Sequence, residues 1–79
     1  MSALATEARH CAAVAFRASK DRGEDDRSAV RAGLEAAADF WLRLASAAAG
    51  RGMASEADAY LDAAAKLRAA AERQGKVTP

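Results

Sequence analysis

Cysteine, histidine and bulky apolar side chains are what this chain has least of. In seventy-nine residues there is one cysteine, Cys11, and one histidine, His10. One cysteine excludes an internal disulfide, and an intracellular thiol is the simple reading. The two residues are adjacent, so on a helix their side chains point about 100° apart. A Cys–His catalytic pair needs both groups aimed at one point. Zinc needs three or four protein ligands, and nothing else in the chain has the local spacing to supply them. The expectation is a buried thiol, an exposed imidazole, and no metal. Charge of one sign is also lacking. Twelve basic residues face eleven acidic ones, for a net charge of +1. That balance gives no global pull toward nucleic acid or an anionic membrane. No apolar run approaches the roughly 20 residues that span a bilayer. Met1 to Glu7 have neither the basic n-region nor the bulky h-region of a signal peptide, so the cytoplasm is the expected location. β-branched residues are sparse and alternation is absent, which excludes strands.

Ligand loops are missing too. Gly50-Arg51-Gly52 lacks the downstream Lys-Ser/Thr of a phosphate loop, although it precedes a helix start where an anion can bind. Asp21 to Asp26 is acidic but lacks the alternating ligands and terminal glutamate of a calcium loop. It reads as a turn followed by a helix cap, with Asp25 or Asp26 as the N-cap and Ser28 as the alternative. Carboxylates do acid–base chemistry only in a cleft that shifts their pKa, and an alanine-rich chain of this size offers little cavity. No catalytic set, cofactor or small-molecule substrate is expected.

What is present is alanine, twenty-five residues of it, arranged in stripes. From Val30 the apolar positions run Val30, Leu34, Ala37, Trp41, Leu44, Ala48, in steps of four and three. All six share one face of a helix. Leu4, Ala8, Cys11, Ala15 and Ala18 repeat the rhythm, and so do Met53, Ala57, Tyr60, Ala64, Leu67 and Ala71. Gly23 is a natural left-handed stop. Gly50 to Gly52 ends the second segment. Ser2 is a candidate cap for the first helix, and Ser55 with Asp58 for the third. Gly33, beside the central stripe, predicts a close helix–helix approach. Arg31–Glu35 and Asp39–Arg43 are spaced for ion pairs along a helix. The pattern predicts an all-α fold, a small antiparallel three-helix bundle, in one domain. Its helices span about 2–20, 27–49 and 55–74, with a frayed tail at 75–79. Large apolar side chains contribute roughly 1.5–3 kcal/mol each when buried and alanine much less, so the lone chain sits near the edge of stability. Self-association or a covering partner is expected.

The second hairpin resembles one tetratricopeptide repeat. Trp41, Leu44 and Ala45 match the spacing at which that family's pattern opens. Gly52 to Ala57 is similar to its turn, and Leu61 and Ala64 fit the large and small positions that follow. The resemblance covers about Trp41 to Ala70. It departs where Ala69 stands in place of the closing proline, where Ala48 replaces an aromatic, and in the length of the second helix. One unit cannot make a solenoid. The resemblance implies a protein-binding scaffold rather than a catalyst.

These readings converge on a non-enzymatic helical module that binds another protein. A compact inhibitor or adaptor docking on a larger machine is one form, of the kind mobile elements encode, anti-CRISPR proteins among them. Phe16, Phe40 and Leu42 are the candidate contact residues, since Trp41 already fills the central stripe and its neighbours point to either side. A homo-oligomeric structural module, down to a homodimer, is one alternative. A weak nucleic-acid-binding regulator is the other. It would use Arg9, His10, Arg17 and Lys20 on the basic face of helix one.

Overall fold

The computed structural model describes residues 3–75. Three helices account for nearly all of them: α1 (Ala3–Asp21), α2 (Asp26–Gly50) and α3 (Ala54–Gly75). There is no strand among the described residues. The expected cap at Ser2 and the expected frayed tail lie, apart from Gly75, outside them.

The two connections are the same device used twice. After α1, the Gly23 N–H bonds the Lys20 carbonyl at 2.9 Å and the Glu24 N–H reaches the Ser19 carbonyl at 3.2 Å. After α2, the Gly52 N–H bonds the Ala49 carbonyl at 3.0 Å and the Met53 N–H reaches the Ala48 carbonyl at 2.9 Å. Both are Schellman closures, which satisfy the orphan carbonyls of a helix end and need a left-handed residue. Gly23 at φ +85° and Gly52 at φ +75° supply it. Each closure reverses the chain within a few residues, so α2 runs antiparallel to α1 and α3 antiparallel to α2.

The helix starts differ. Asp25 caps α2 from an extended backbone, and its carboxylate accepts the Ser28 N–H at 2.8 Å. The expected box of Ser55 and Asp58 does not form. α3 begins at Ala54, with the Ala57 N–H bonded to the Met53 carbonyl at 3.0 Å, which puts Ser55 inside the first turn. Of the two expected ion pairs, Arg31–Glu35 is present at 3.6 Å. Asp39 instead pairs across helices with Arg68 of α3, at 3.8 Å, because α3 lies within reach of that face.

Packing is by alanine. The buried apolar residues are Ala8, Ala29, Ala37, Ala38, Ala45, Ala48, Ala57, Ala64 and Ala71, joined by Gly33 and Ser19. On α3 the buried set recurs every seven residues, a strict seam. α2 is the central helix and packs against both α1 and α3, while α1 and α3 make no backbone contact with each other among the described residues. Gly33 marks the tightest approach. A Cβ added there would stand 3.0 Å from the Ala12 carbonyl oxygen.

The α1–α2 turn is closed by side chains as well. The Ser19 hydroxyl, fully buried, donates to the Glu24 carboxylate, and Arg22 holds the other carboxylate oxygen at 3.3 Å. The Ser19 hydrogen bond, then that of Arg22, lowers the Glu24 pKa below its ordinary value. The Ser28 N–H does the same for Asp25. A lowered carboxyl pKa in the folded state stabilises the fold above the ordinary carboxylate range, and this is lost as pH falls through and below about 4. Thermal melts followed by circular dichroism are expected to drop as pH falls through that window, with a shallower drop in Glu24→Gln and Asp25→Asn.

Two glycines separate close packing from helix propensity. Gly50 has open space around its Cβ position and an ordinary φ. Gly50→Ala is expected to raise stability by a few tenths up to about 1 kcal/mol. Gly33→Ala gains the same propensity but presses on a backbone oxygen that cannot turn aside, so it is expected to lower stability. Urea titrations of the two variants read the opposite signs.

Candidate functional site

Alanine seams draw α1 and α3 close to two different sides of α2. The strip of α2 between those sides is covered only in part. That strip is the Val30-to-Ala48 stripe, which the sequence suggests as the centre of a closed core. In the structure Ala37 and Ala48 are buried, but Leu34, Trp41 and Leu44 are only half-buried and Val30 is exposed. The stripe's first part, Val30 to Trp41, floors an open trough. Three helices joined by alanines leave the fourth side of the bundle empty.

Two apolar hollows make up the trough, continuous through Ala12, Gly33 and Leu34. The larger, about 600 Å³, lies between Phe16, Arg17 and Lys20 on α1 and Val30 and Leu34 on α2. The smaller, about 270 Å³, is bounded by Ala5, Ala8 and Arg9 on α1, Ala37 and Trp41 on α2, and Leu67 on α3. Trp41 is held in place by aromatic neighbours. Tyr60 of α3 stacks on it with ring centres 5.6 Å apart, and Phe40 meets it edge-on at 5.4 Å. Such pairs add about 0.5–1.5 kcal/mol beyond area burial, and they fix the indole at the trough floor.

Of the sequence-predicted contact residues, Phe16 is exposed and overhangs the larger hollow. Phe40 and Leu42 are half-buried and line neither hollow. Phe40 serves as the edge-on support of Trp41. The residues that sequence reasoning passed over as core, Val30, Leu34, Trp41 and Leu67, are the ones the trough brings together. The signal was available in the lack of bulk opposite them: the facing positions of α1 are Ala5, Ala8 and Ala12.

The charged residues divide by face. Arg9, Arg17 and Lys20 border the trough from α1. Lys20 is paired with Asp26 at 2.6 Å, whereas Arg9 and Arg17 have no ion-pair partner among the described residues. His10 lies on the outer surface of α1 in a hollow with Val14 and Asp21, which Arg17 also borders. The opposite face of the molecule is a polar hollow of about 510 Å³ bounded by Arg31, Glu35, Asp39, Arg68 and Glu72. Arg31 pairs there with Glu35, and Asp39 with Arg68.

Cys11 is half-buried and His10 exposed. Among the described residues no group of three His, Cys, Asp or Glu side chains is placed to hold a metal ion. No described helix is long and apolar enough to cross a membrane. The trough itself lacks the convergent polar groups that orient a small ligand.

Partial exposure sets the energetics of the two aromatic residues apart. Trp41→Ala removes a half-buried, stacked ring and is expected to cost about 2 kcal/mol in urea unfolding. Phe16→Ala removes an overhanging ring and is expected to cost less than about 1 kcal/mol by the same measurement.

No family model matches the chain, and no curated protein or solved structure matches it either.

Proposed function

We propose that this chain is a non-enzymatic helical module that binds another protein through the trough. One observation carries the reading. Among the described residues nothing larger than serine is fully enclosed, and bulky apolar side chains keep part of their surface in water, Phe16 and Val30 at the trough and Val14, Met53 and Leu61 away from it. A fold whose own packing is done by alanine gains most from a partner that covers what alanine leaves open. The resemblance of Trp41 to Ala70 to a tetratricopeptide repeat points the same way, since hairpins of that family serve as protein-binding scaffolds. A compact inhibitor or adaptor docking on a larger machine is the finer form of the proposal.

Self-association is the second reading, since a chain packed by alanine also gains from a second copy that covers its apolar surface.

Site-directed photo-crosslinking inside expressing cells tests the proposal. A photoreactive residue at Phe16 or Val30 is expected to give a heavier adduct, and one at Glu35 on the polar face none. An adduct at twice the chain mass would identify a second copy and shift the reading to a homo-oligomer. Absence of any trough adduct would sink the module reading.

A further inference from the structure

The trough's shape and the charge on one wall narrow the partner's chemistry, and the argument rests on the interaction reading above. We infer that the trough seats a single amphipathic α-helix of another protein, whose flank toward α1 is acidic.

Shape comes first. The floor is α2 and the long wall is α1, with Leu67 of α3 closing the smaller hollow, and the backbones of α1 and α3 do not approach each other across it among the described residues. A helix with its side chains is a convex rod about 10–12 Å across. Laid along the trough it meets α1 and α2 over its length and Leu67 of α3 at the smaller hollow, as a fourth helix beside the three. A second copy offering the same face would oppose one concave surface to another and leave the middle unfilled.

Charge comes second. The residues bordering the two hollows include three cations, Arg9, Arg17 and Lys20, and no acidic residue. Asp26 already pairs with Lys20, while neither arginine has an ion-pair partner among the described residues. A helix seated below them places its own flank beside two guanidinium groups at the border of an apolar strip. There a carboxylate is favoured and an ammonium repelled. Arg9 and Arg17 are eight residues apart on α1, a rise of about 12 Å. The matching acidic residues on the partner therefore fall seven or eight residues apart. Its anchors follow the i, i+3, i+4, i+7 pattern of helices that lie in grooves, with Leu34 and Trp41 beneath them.

Trp41 is the only tryptophan, so its emission reports on the trough directly. The probes are tryptophan-free synthetic peptides of three heptads, with leucine at the apolar positions and either glutamate or lysine at every flanking one. The glutamate peptide is expected to shift Trp41 emission to the blue and to weaken as salt rises. The double variant Arg9→Glu, Arg17→Glu, checked for an unchanged melting temperature, is expected to bind it about tenfold less tightly. The lysine peptide is expected to bind about tenfold less tightly to the unaltered chain and to gain affinity for the double variant. If both peptides shift Trp41 equally, the acidic-flank inference falls while the trough as a protein site stands. If neither does, and trough crosslinks are absent as well, both fall. A blue shift that grows with the chain's own concentration, together with a doubled mass in sedimentation equilibrium, would give the trough to a second copy. A shift produced by phosphatidylglycerol vesicles and by neither peptide would give it to a lipid surface.

Discussion

Close approach of helix backbones across alanine is the constraint on which everything else depends. Alanine at the contact lets axes come toward the lower end of the usual 8–10 Å range. It also loses no side-chain entropy on burial. Gly33 against the Ala12 carbonyl is the limiting case, where even a methyl group finds its neighbour at 3.0 Å. Each such contact adds little by itself. Stability comes from many of them in register, from high helix propensity, and from the aromatic cluster of Phe40, Trp41 and Tyr60 set beside the seams. The seven-residue recurrence of Ala57, Ala64 and Ala71 shows how regular that register is.

The same constraint decides where bulk goes. Side chains too large for a seam are displaced to its margins, and the margins of two seams on one helix meet in a strip of α2. Val30, Leu34 and Trp41 therefore gather in one place with water over them, and Phe16 leans in from the α1 side. Ion pairing sorts in parallel. Across the polar face, Asp39 reaches Arg68 and Arg31 reaches Glu35. On the trough side, the α1 arginines have nothing to pair with among the described residues. An apolar strip beside unpaired cations is thus a by-product of how this chain packs, and it is also the arrangement a docking helix can use.

Much of the architecture was legible in sequence, because local rules acted alone. Four-three spacing placed all three helices to within a residue or two. Gly23 marked a stop, Asp25 was one of three candidate caps beside Asp26 and Ser28, and Gly33 marked the close approach. The site was legible only in part. Periodicity shows which residues share a face; it does not show whether a neighbour covers that face. Trp41 and Leu34 looked like core for this reason, and covering them needed bulk on α1 that Ala5, Ala8 and Ala12 do not provide. Phe40 and Leu42 drew attention as the residues on either side of Trp41, yet both are half-buried away from the hollows. The Asp39–Arg68 pair was invisible because spacing along one helix says nothing of a competitor on another. Ser55 and Asp58 fit a capping pattern, but α3 opened one residue earlier.

An odd number of helices has an electrical consequence. Each helix carries a dipole equal to about half a unit charge at either end, positive at its N-terminus. α1 and α3 point the same way and α2 opposes them, so one dipole of the three is left uncancelled. One end of the molecule gathers two helix N-termini and one C-terminus; the other end gathers the reverse. A fourth helix running alongside α2, head beside head, would bring two against two. The fold therefore distinguishes between the two directions in which a rod can lie in its trough, before any side chain of that rod is considered.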